Sequence, residues 1–511
     1  MKLYTWITIL GFIILPILSV DAKTVSNERL AIENEYAELE YSFSNPYVKL
    51  NPFGLNSLAA IVKFPTQKDV QITLTVTGKN GAPDVTHTFK GFKTEHEINV
   101  LGLYPNHENK IILTAADKNG QKQTTEITIK TPKSNKRALF VPLIKNQSAQ
   151  NRYYFISEGI AFDEFGNLRF DFKNGDMTYY LGGELISESR NFGLKRYSMS
   201  GELLQEYPYP QGFTSFTHGM AQKPNGNFLI LGSLIGKTAQ FENKEQATQR
   251  DIIIELDYKT GAHVKTWDLA NVMNPDRSVI IRSATQSYGL NNWCHLNGVS
   301  YDSDDTSLVL SCRHNGMIKI DDETGDLIWV FGPKLGYEKS GRDSKGPAIF
   351  DKVLTAVDKN GQPYDENFQM GKTADTGFKW PTKTHDARAY GNQIFSIFDN
   401  SGSLYDKTLY ATTYSVASIF KVNPIAMTVK QIWRKDLDDY SQVGSSVLYD
   451  PNQKEVVVFI SQIEDDEQNG ISYGKILRYD FDTRALQFEG LIYRGGNTHF
   501  YRLEPFEFYK D

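Results

Sequence analysis

From about residue 138 onward the chain repeats one pattern, which limits its fold more than any other sequence feature does. Each copy begins with a short apolar strand, turns at an Asn-Gly or similar pair and returns as a second strand. A second hairpin follows in most copies and often ends near a Trp. First hairpins occupy 159–170, 219–231, 298–310, 387–398 and 446–460, and second hairpins occupy 252–267, 317–329, 418–433 and 476–486. Two hairpins make a four-stranded blade, and a ring of blades protects its strand edges, so the repeat predicts a β-propeller.

Five blades can be counted directly from these copies. We expect a sixth to be assembled from Ala138–Ile144 and Phe500–Tyr509, which would close the ring. The predicted fold is therefore all-β, with a six-bladed propeller over residues 138–511.

The sequence before the repeats divides into three predicted parts. Residues 1–22 combine Lys2 with an apolar run over Leu3–Leu18, which is typical of a cleavable signal peptide, so we expect an exported and periplasmic protein. Residues 23–40 form a lead-in segment. Residues 41–132 alternate apolar and polar side chains between turn sequences, which predicts an immunoglobulin-like β-sandwich.

Charge and hydropathy argue against nucleic-acid and membrane partners, and the cysteine count limits what disulfides can contribute to the fold. The net charge of −6 provides no general basic field for nucleic acid or an anionic membrane, so we expect neither partner. After the signal peptide no segment is apolar enough to span a bilayer. The two cysteines, Cys294 and Cys312, are too few to support the fold and are predicted to form either a disulfide or a buried thiol pair.

Three of the nine histidines occupy the same place in the repeat. His218, His295 and His385 each lie at the start of the first strand of a blade. The first strands of a propeller line its central channel, so we expect these imidazoles to converge at one end of the channel.

Further polar residues accompany His295. Asn297 lies two residues later and faces the same side of the strand. Arg313 lies on the returning strand, nearly opposite His295, whereas His314 is expected to point to the other face. Imidazoles, a guanidinium and an amide without a carboxylate form a clamp for a tetrahedral oxyanion, and an imidazole can also act as a nucleophile.

Aromatic residues flank the predicted site. Trp293 and Trp380 could stack on an aryl group, or could pack within the fold.

In combination, these motifs resemble those of the bacterial arylsulfate sulfotransferases. The resemblance rests on Thr217-His-Gly, His295-x-Asn, Ser311-Cys-Arg-His and Thr384-His, the last followed by Ser396-Ile-Phe-Asp-Asn. It covers nearly the whole chain from about residue 40.

The resemblance implies a dimeric periplasmic enzyme with a six-bladed propeller and an N-terminal immunoglobulin-like domain. Such an enzyme transfers a sulfuryl group from a small aryl sulfate to a phenol and needs no cofactor or metal. His385 matches the histidine that is transiently sulfated in a ping-pong reaction. The residues that match those holding the sulfuryl oxygens are His218, His295, Asn297 and Arg313, and a later hydroxyl of the family site would correspond to Ser441 or Ser445.

One family feature has no counterpart in this chain. The family carries a disulfide close before the sulfated histidine, whereas both cysteines here lie elsewhere, so the loop 371–383 lacks its expected covalent link.

Two other functions fit the same residues. Three histidines could bind a divalent metal in a propeller lyase or hydrolase, although Arg313 would repel the cation and no carboxylate converges with them. The alternative without catalysis is an exported propeller that only binds a ligand.

Overall fold

A computed structural model describes residues 26–134, 139–142, 149–173, 177–189, 193–213, 218–241, 244–277, 286–287, 290–375, 377–401, 414–465, 471–493 and 500–510. The predicted signal peptide, residues 1–22, lies outside these ranges.

The N-terminal strands form an antiparallel sheet that folds over itself. They are β1 (Tyr47–Leu50), β2 (Ala60–Val76), β3 (Val85–Thr88), β4 (Lys93–Val100), β5 (Glu108–Asp117) and β6 (Lys122–Lys130). Strand β2 is 17 residues long and changes partners near Pro65. Its first half pairs with β1 and β4, and its second half pairs with β3 and β5. One long strand therefore contributes to both layers of the sandwich.

A helix precedes the sandwich and connects it to the rest of the chain. Helix α1 (Asn27–Ala37) begins at Ser26, whose hydroxyl accepts a hydrogen bond from the backbone of Arg29 at 3.1 Å. The Arg29 guanidinium contacts Glu97 of β4 and Glu202, each at 2.7 Å. No helix among the described residues has the length and apolar character needed to cross a membrane.

The remaining strands follow one another as short hairpins, as the repeat predicts. They are β7 (Leu139–Pro142), β8 (Tyr153–Ile156), β9 (Ile160–Asp163), β10 (Leu168–Asp171), β11 (Thr178–Leu181), β12 (Glu184–Ser189), β13 (Gly193–Tyr197), β14 (Leu203–Tyr207), β15 (Met220–Gln222), β16 (Phe228–Gly232), β17 (Thr238–Phe241), β18 (Lys244–Ala247), β19 (Ile252–Leu256), β20 (His263–Asp268), β21 (Gln286–Ser287), β22 (Leu290–Asn291), β23 (Leu296–Asp302), β24 (Ser307–Cys312), β25 (Gly316–Asp321), β26 (Leu327–Phe331), β27 (Thr355–Val357), β28 (Thr384–Ala389), β29 (Ile394–Asp399), β30 (Val416–Asn423), β31 (Thr428–Asp436), β32 (Ser446–Asp450), β33 (Glu455–Asp465), β34 (Ile471–Asp480), β35 (Leu486–Tyr493) and β36 (Leu503–Pro505). Helix α2 (Glu366–Gln369) and two 3₁₀ turns (Leu269–Asn271 and Phe350–Lys352) interrupt them.

Within the described ranges, these strands form six sheets of four or five strands, the number that six blades require. Their orders are β10-β9-β8-β36, β11-β12-β13-β14, β15-β16-β19-β20, β23-β24-β25-β26, β27-β31-β30-β29-β28 and β32-β33-β34-β35-β7. The first strands β11, β15, β23, β28 and β32 contact one another in succession. This is the ring arrangement of a propeller.

The prediction for the sixth blade was wrong in its strands. In the described part of segments Ala138–Ile144 and Phe500–Tyr509, residues 139–142 form β7 and residues 503–505 form β36, and these two strands do not pair with each other. Strand β7 extends the sheet of β35, and β36 joins the sheet of β8. The sheet of β11–β14 is the one in which the sequence analysis identified no copy of the repeat. Strands β7 and β36, the first and last strands of the propeller region, thus close the ring, each on a different sheet.

The first strands approach each other most closely at two glycines. A Cβ atom on Gly219 would lie 3.0 Å from the Cα of Gly298, and one on Gly298 would lie 3.0 Å from the Cα of Asp386. Three strands therefore meet at one level of the channel, next to the predicted site histidines.

The sandwich and the propeller share one apolar core, and a buried arginine of the propeller donates to the backbone of the sandwich. The core joins Phe64 of β2 to Phe170 and Phe506 of the propeller. Arg169 is fully buried and donates to the carbonyl oxygen of Gly102 at 2.7 Å and to Asp163 at 3.0 Å.

We expect Arg169→Ala to destabilise this junction. The change leaves Asp163 as a buried charge without its cation, which typically costs about 3–5 kcal/mol. The free energy of unfolding from urea titration measures this loss. The exposed pair of Lys118 and Asp69 supplies the control, because Lys118→Ala should change the free energy by less than about 1 kcal/mol. Equal effects of the two variants would contradict the prediction.

Candidate functional site

The predicted histidines lie together at one end of the channel. The rings of His218 and His295 stack with their centroids 6.0 Å apart. Tyr501 lies between His218 and His385, with centroid distances of 4.9 and 5.9 Å. His218 and His295 have φ angles of +48° and +56°, a left-handed conformation that turns the chain at the mouth of the channel. His385 instead is the second residue of β28, and the residue after it, Asp386, has the left-handed conformation, with φ at +56°.

Arg313 lies opposite His295, as the hairpin register predicts. Its backbone nitrogen donates to the carbonyl oxygen of His295 at 3.3 Å. The guanidinium reaches His385, with Nη1 3.3 Å from Nε2, and Nη2 donates to the carbonyl oxygen of Gln442 at 3.0 Å. His314 was expected to point away, but its ring contacts His295 at 5.9 Å.

A second guanidinium, missed by the sequence reasoning, comes from Arg250. Its Nη1 lies 2.7 Å from Nε2 of His295. Arginine can only donate, so Nε2 of His295 accepts and Nδ1 carries the proton. The amide nitrogen of Asn292 lies 2.7 Å from that Nδ1. Exchange of the amide oxygen and nitrogen, which have the same shape, gives the Nδ1 proton its acceptor. Arg250 follows an insertion in its blade, so no repeat position identified it.

Asn400 fixes the tautomer of His385. Its amide nitrogen donates to the carbonyl oxygens of Ser441 at 2.8 Å and Gly444 at 3.3 Å. The amide oxygen therefore faces Nδ1 of His385 and accepts its proton in a short hydrogen bond. Consequently Nε2 of His385 carries a lone pair that points toward Arg313. Asn400 was visible in the sequence as the end of a motif, but not as a partner of the histidine.

The two candidate serines belong to a buried hydroxyl cluster. Ser445 contacts Ser441 at 3.1 Å and Ser461 at 3.3 Å, while Ser441 donates to the carbonyl oxygen of Val443 at 2.9 Å. These bonds shape the loop 441–445, whose carbonyl oxygens hold Asn400 and Arg313. The serines thus support the site through the backbone of this loop.

Asn297 lies in the wall of the site. Its amide nitrogen donates to the carbonyl oxygen of Thr384 at 2.7 Å, and its amide oxygen accepts from Ser311 at 2.6 Å. The residue therefore joins the strand of His295 to the strand of His385.

The two tryptophans do not line the site. Trp293 and Trp380 are both fully buried in the hydrophobic core. The suggestion that they stack on an aryl group is corrected to a packing role, because neither has an accessible face.

The cysteines form a disulfide between Cys294 and Cys312, with their Cα atoms 4.9 Å apart. It joins the residues next to His295 and Arg313 across the hairpin.

The loop before His385 is held by aromatic packing and not by a disulfide. Phe378 and Trp380 are buried in one core cluster, and the indole nitrogen of Trp380 donates to the carbonyl oxygen of Phe368 at 3.0 Å. Aromatic packing therefore holds this loop, whose residues 371–383 include no cysteine.

Arg502 supports the backbone of the site residues, and the sequence repeat did not predict this role. It donates to the carbonyl oxygens of His218 at 3.1 Å and Asn297 at 2.8 Å. It also pairs with Asp386 at 3.3 Å. The C-terminal segment thereby fixes two of the strands that bear the site.

The imidazoles are neutral, and arginines supply the positive charge. Burial, together with the nearby charges of Arg250, Arg502 and Arg313, lowers the pKa of His218 to about 3. Burial also lowers the pKa values of His295 and His385 far below their usual range. The site therefore combines lone pairs on imidazole nitrogens with guanidinium donors, which suits an anion whose central atom is open to attack.

A metal centre gains little support from this geometry. Among the described residues, no three side chains of His, Cys, Asp or Glu are grouped to hold a metal ion. The Nε2 atom of His295 already accepts from Arg250.

Comparison with known proteins identifies two matching family models. The model described as arylsulfotransferase (ASST) matches residues 112–502, and the arylsulfotransferase Ig-like domain matches residues 47–132.

Two curated relatives carry the name arylsulfate sulfotransferase AssT. The one from Escherichia coli O6:H1 is 27% identical over 330 residues, which cover 57% of this chain and 53% of that protein. The one from Lelliottia amnigena is 24% identical and covers 86% of this chain and 89% of that protein. The chain thus spans about half the length of the first relative and most of the second.

Solved structures with some likeness include other propellers. BamB from Moraxella catarrhalis is 11% identical, with a TM-score of 0.27 and coverage of 75% of this chain and 91% of that chain. The β-propeller domain of Cps50 (Swd1) from Myceliophteria thermophila is 9% identical, with a TM-score of 0.32 and coverage of 70% and 99%. At these TM-scores the fold assignment rests on the strand pairing of the chain itself.

We expect the site histidines to remain neutral in the native protein from about pH 8 to about pH 5. Unfolded imidazoles bind protons below about pH 6.5, whereas His218 resists protonation to about pH 3, so the free energy of unfolding should fall as the pH falls between these values. Nitrogen NMR of ¹⁵N-histidine-labelled protein measures the charge state and tautomer, with the urea-unfolded protein as control. Protonation of His385 near pH 6.5 would contradict the prediction.

Proposed function

The chain belongs to the arylsulfotransferase family, and on that premise we propose that it transfers a sulfuryl group from an aryl sulfate to a phenol. The observation that carries the proposal is the environment of His385. Its Nδ1 proton is held by Asn400, and its Nε2 lone pair lies 3.3 Å from the Arg313 guanidinium. A nucleophile and an oxyanion donor thus share one small space.

In the first half-reaction, Nε2 of His385 attacks the sulfur of the donor. The bond between sulfur and the aryl oxygen breaks, its electron pair leaves with the phenoxide, and the ring becomes an N-sulfoimidazolium. The positive charge gained by the ring strengthens the hydrogen bond from Nδ1 to the Asn400 oxygen. No activated nucleotide is required, because a phenoxide is a tolerable leaving group.

In the second half-reaction, the oxygen of the acceptor phenol attacks the same sulfur. The sulfur–nitrogen bond breaks and its electron pair returns to Nε2, while the acceptor phenol releases its proton, which balances the phenoxide released in the first half-reaction. His385 is then neutral again, with the proton still on Nδ1. The cycle is a ping-pong exchange with sulfohistidine as its intermediate.

The arginines stabilise the peripheral oxygens of the transferring group. The transition state of such a transfer spreads negative charge over oxygens that fixed donors can bind. Arg313 and Arg250 are held by Gln442 and His295 before substrate arrives. Because both guanidiniums are pre-oriented, little reorganisation is needed during the reaction.

The cellular setting is part of the proposal. The sequence of residues 1–22 supports export, and we propose a periplasmic location. Dimerisation stays a prediction of the family resemblance. The substrates are proposed as small phenolic sulfates and phenols.

The metal-dependent and purely binding alternatives are separated by simple measurements. A metal-dependent lyase or hydrolase would lose its activity on exhaustive chelation. A binding propeller would release no nitrophenol from nitrophenyl sulfate. Sustained turnover in the presence of a chelator is the result expected here.

His385 is expected to carry the sulfuryl group between the two half-reactions. Incubation with an aryl sulfate and no acceptor should add one sulfuryl group to the peptide that contains His385, detected by mass spectrometry. His385→Asn should remove both this modification and transfer, while circular dichroism shows an intact fold. Transfer by this variant at a near wild-type rate would refute the assignment.

Arg313→Ala is expected to slow sulfuryl transfer by about 10²–10³-fold, because it removes a donor to the transition state. The turnover rate with saturating nitrophenyl sulfate measures this effect. Arg196→Ala is a matched control, since that guanidinium packs on Tyr258, away from the site, and should leave the rate unchanged. A rate for Arg313→Ala within about threefold of the control would contradict a role in charge stabilisation.

A further inference from the structure

The ring of Tyr501 forms part of the site, although the mechanism above does not use it. The ring stacks on His218 at 4.9 Å with an interplanar angle of 29° and meets His385 edge-on at 5.9 Å. Its place between these imidazoles puts the phenol beside the transferring group.

The hydroxyl of Tyr501 is buried and has no hydrogen-bond partner among the described residues. Leaving a buried hydroxyl unpaired typically costs about 1–3 kcal/mol. Other buried tyrosines of the chain avoid this cost. Tyr154 donates to Glu164 at 2.6 Å, and Tyr207 donates to the carbonyl oxygen of Tyr258 at 2.7 Å. The exception at Tyr501 is explained if a substrate supplies the partner.

The backbone holds this phenol rigidly. The carbonyl oxygen of Tyr501 accepts from the backbone nitrogen of Ser445 at 2.9 Å, and its nitrogen donates to the hydroxyl of Ser157 at 3.3 Å. Ser445 belongs to the same loop, 441–445, that holds Asn400 and Arg313. The phenol and the nucleophile are therefore positioned by one element.

The surroundings keep Tyr501 protonated while favouring a transient negative charge. Burial raises its pKa to about 12, against the opposing effect of Arg502, Arg313 and Arg250. At neutral pH the group is a hydrogen-bond donor, and three nearby guanidiniums could stabilise its phenolate for the duration of a turnover.

Other groups in the site are poorly suited to move a proton at the aryl oxygen. His385 is the nucleophile, and Nε2 of His295 accepts from Arg250. His218, with a pKa of about 3, is a very weak base. Asp386 is paired with Arg388 at 2.8 Å and with Arg502 at 3.3 Å. Tyr501 remains as the candidate that is both adjacent and unengaged.

We propose that Tyr501 is the general acid and base of the sulfuryl transfer, an inference that rests on the proposed function. In the first half-reaction its hydroxyl proton passes to the aryl oxygen as the sulfur–oxygen bond breaks, so that a neutral phenol leaves and Tyr501 becomes a phenolate. In the second, the attacking phenol gives its proton to that phenolate. Protons and charge then balance over the cycle without an outside acid or base.

The test compares donors whose leaving phenols differ in acidity. Unsubstituted phenoxide is a much poorer leaving group than dinitrophenoxide, so its departure depends far more on the proton. Tyr501→Phe should lower kcat/KM for phenyl sulfate by about 10²-fold or more and leave that for dinitrophenyl sulfate within about threefold. Tyr207→Phe, which also removes a buried hydroxyl, should leave the dependence on leaving group unchanged.

A uniform decrease for all donors, or no decrease for any of them, would overturn the inference while leaving the proposed function intact. Absence of turnover by the wild-type protein would overturn both. Because the Tyr501 hydroxyl has no hydrogen-bond partner in the described part of the chain, Tyr501→Phe should unfold at no lower urea concentration than the wild type.

A second variant keeps the hydroxyl and therefore the shape of the site. With 3,5-difluorotyrosine in place of Tyr501, phenyl sulfate turnover should stay within about tenfold of the wild-type rate, well above that of Tyr501→Phe. If this variant were as slow as Tyr501→Phe, proton transfer by the phenol would be excluded.

Discussion

Closure of the ring of sheets is the constraint on which the rest of the structure depends. Strand β36 from the C-terminus joins the sheet of β8, and β7 extends the sheet of β35, so pairing between distant parts of the chain holds the circle together. Only a closed ring brings the first strands to a common channel. At Gly219 and Gly298 these strands approach so closely that a side chain would collide with its neighbour. The imidazoles therefore meet because the scaffold closes around them.

The site separates lone pairs from positive charge. Burial and nearby arginines keep the imidazoles neutral, while the guanidiniums provide donors that stay charged. The partner of His385 fits this arrangement, since the Asn400 amide accepts a proton without contributing negative charge. A carboxylate there would raise the pKa of the imidazole and favour protonation of Nε2, the nitrogen that attacks in the proposed reaction.

Much of the support for the site comes from backbone atoms of the loop 441–445. Buried serine hydroxyls fix its shape, and its carbonyl oxygens then hold Asn400 and Arg313, while its Ser445 nitrogen holds Tyr501. The disulfide Cys294–Cys312 likewise fixes the two strands of the hairpin that carries His295. A disulfide, buried hydroxyl groups and packed aromatic rings thus support different sides of the histidine cluster, and each limits the motion of a side chain in it.

The sequence by itself determined the strand repeat, the N-terminal sandwich, the common position of His218, His295 and His385, and the register that sets Arg313 against His295. These follow from local periodicity and hairpin pairing, which depend on residues close together in the chain. Tertiary structure alone decided which strands close the ring, that Trp293 and Trp380 are buried, and that Arg250, Asn400, Tyr501 and Arg502 join the site. Those residues reach the channel from insertions, strand ends and the C-terminal segment, outside the aligned repeat positions. Their contacts form only once the blades have come together, so no local pattern could reveal them.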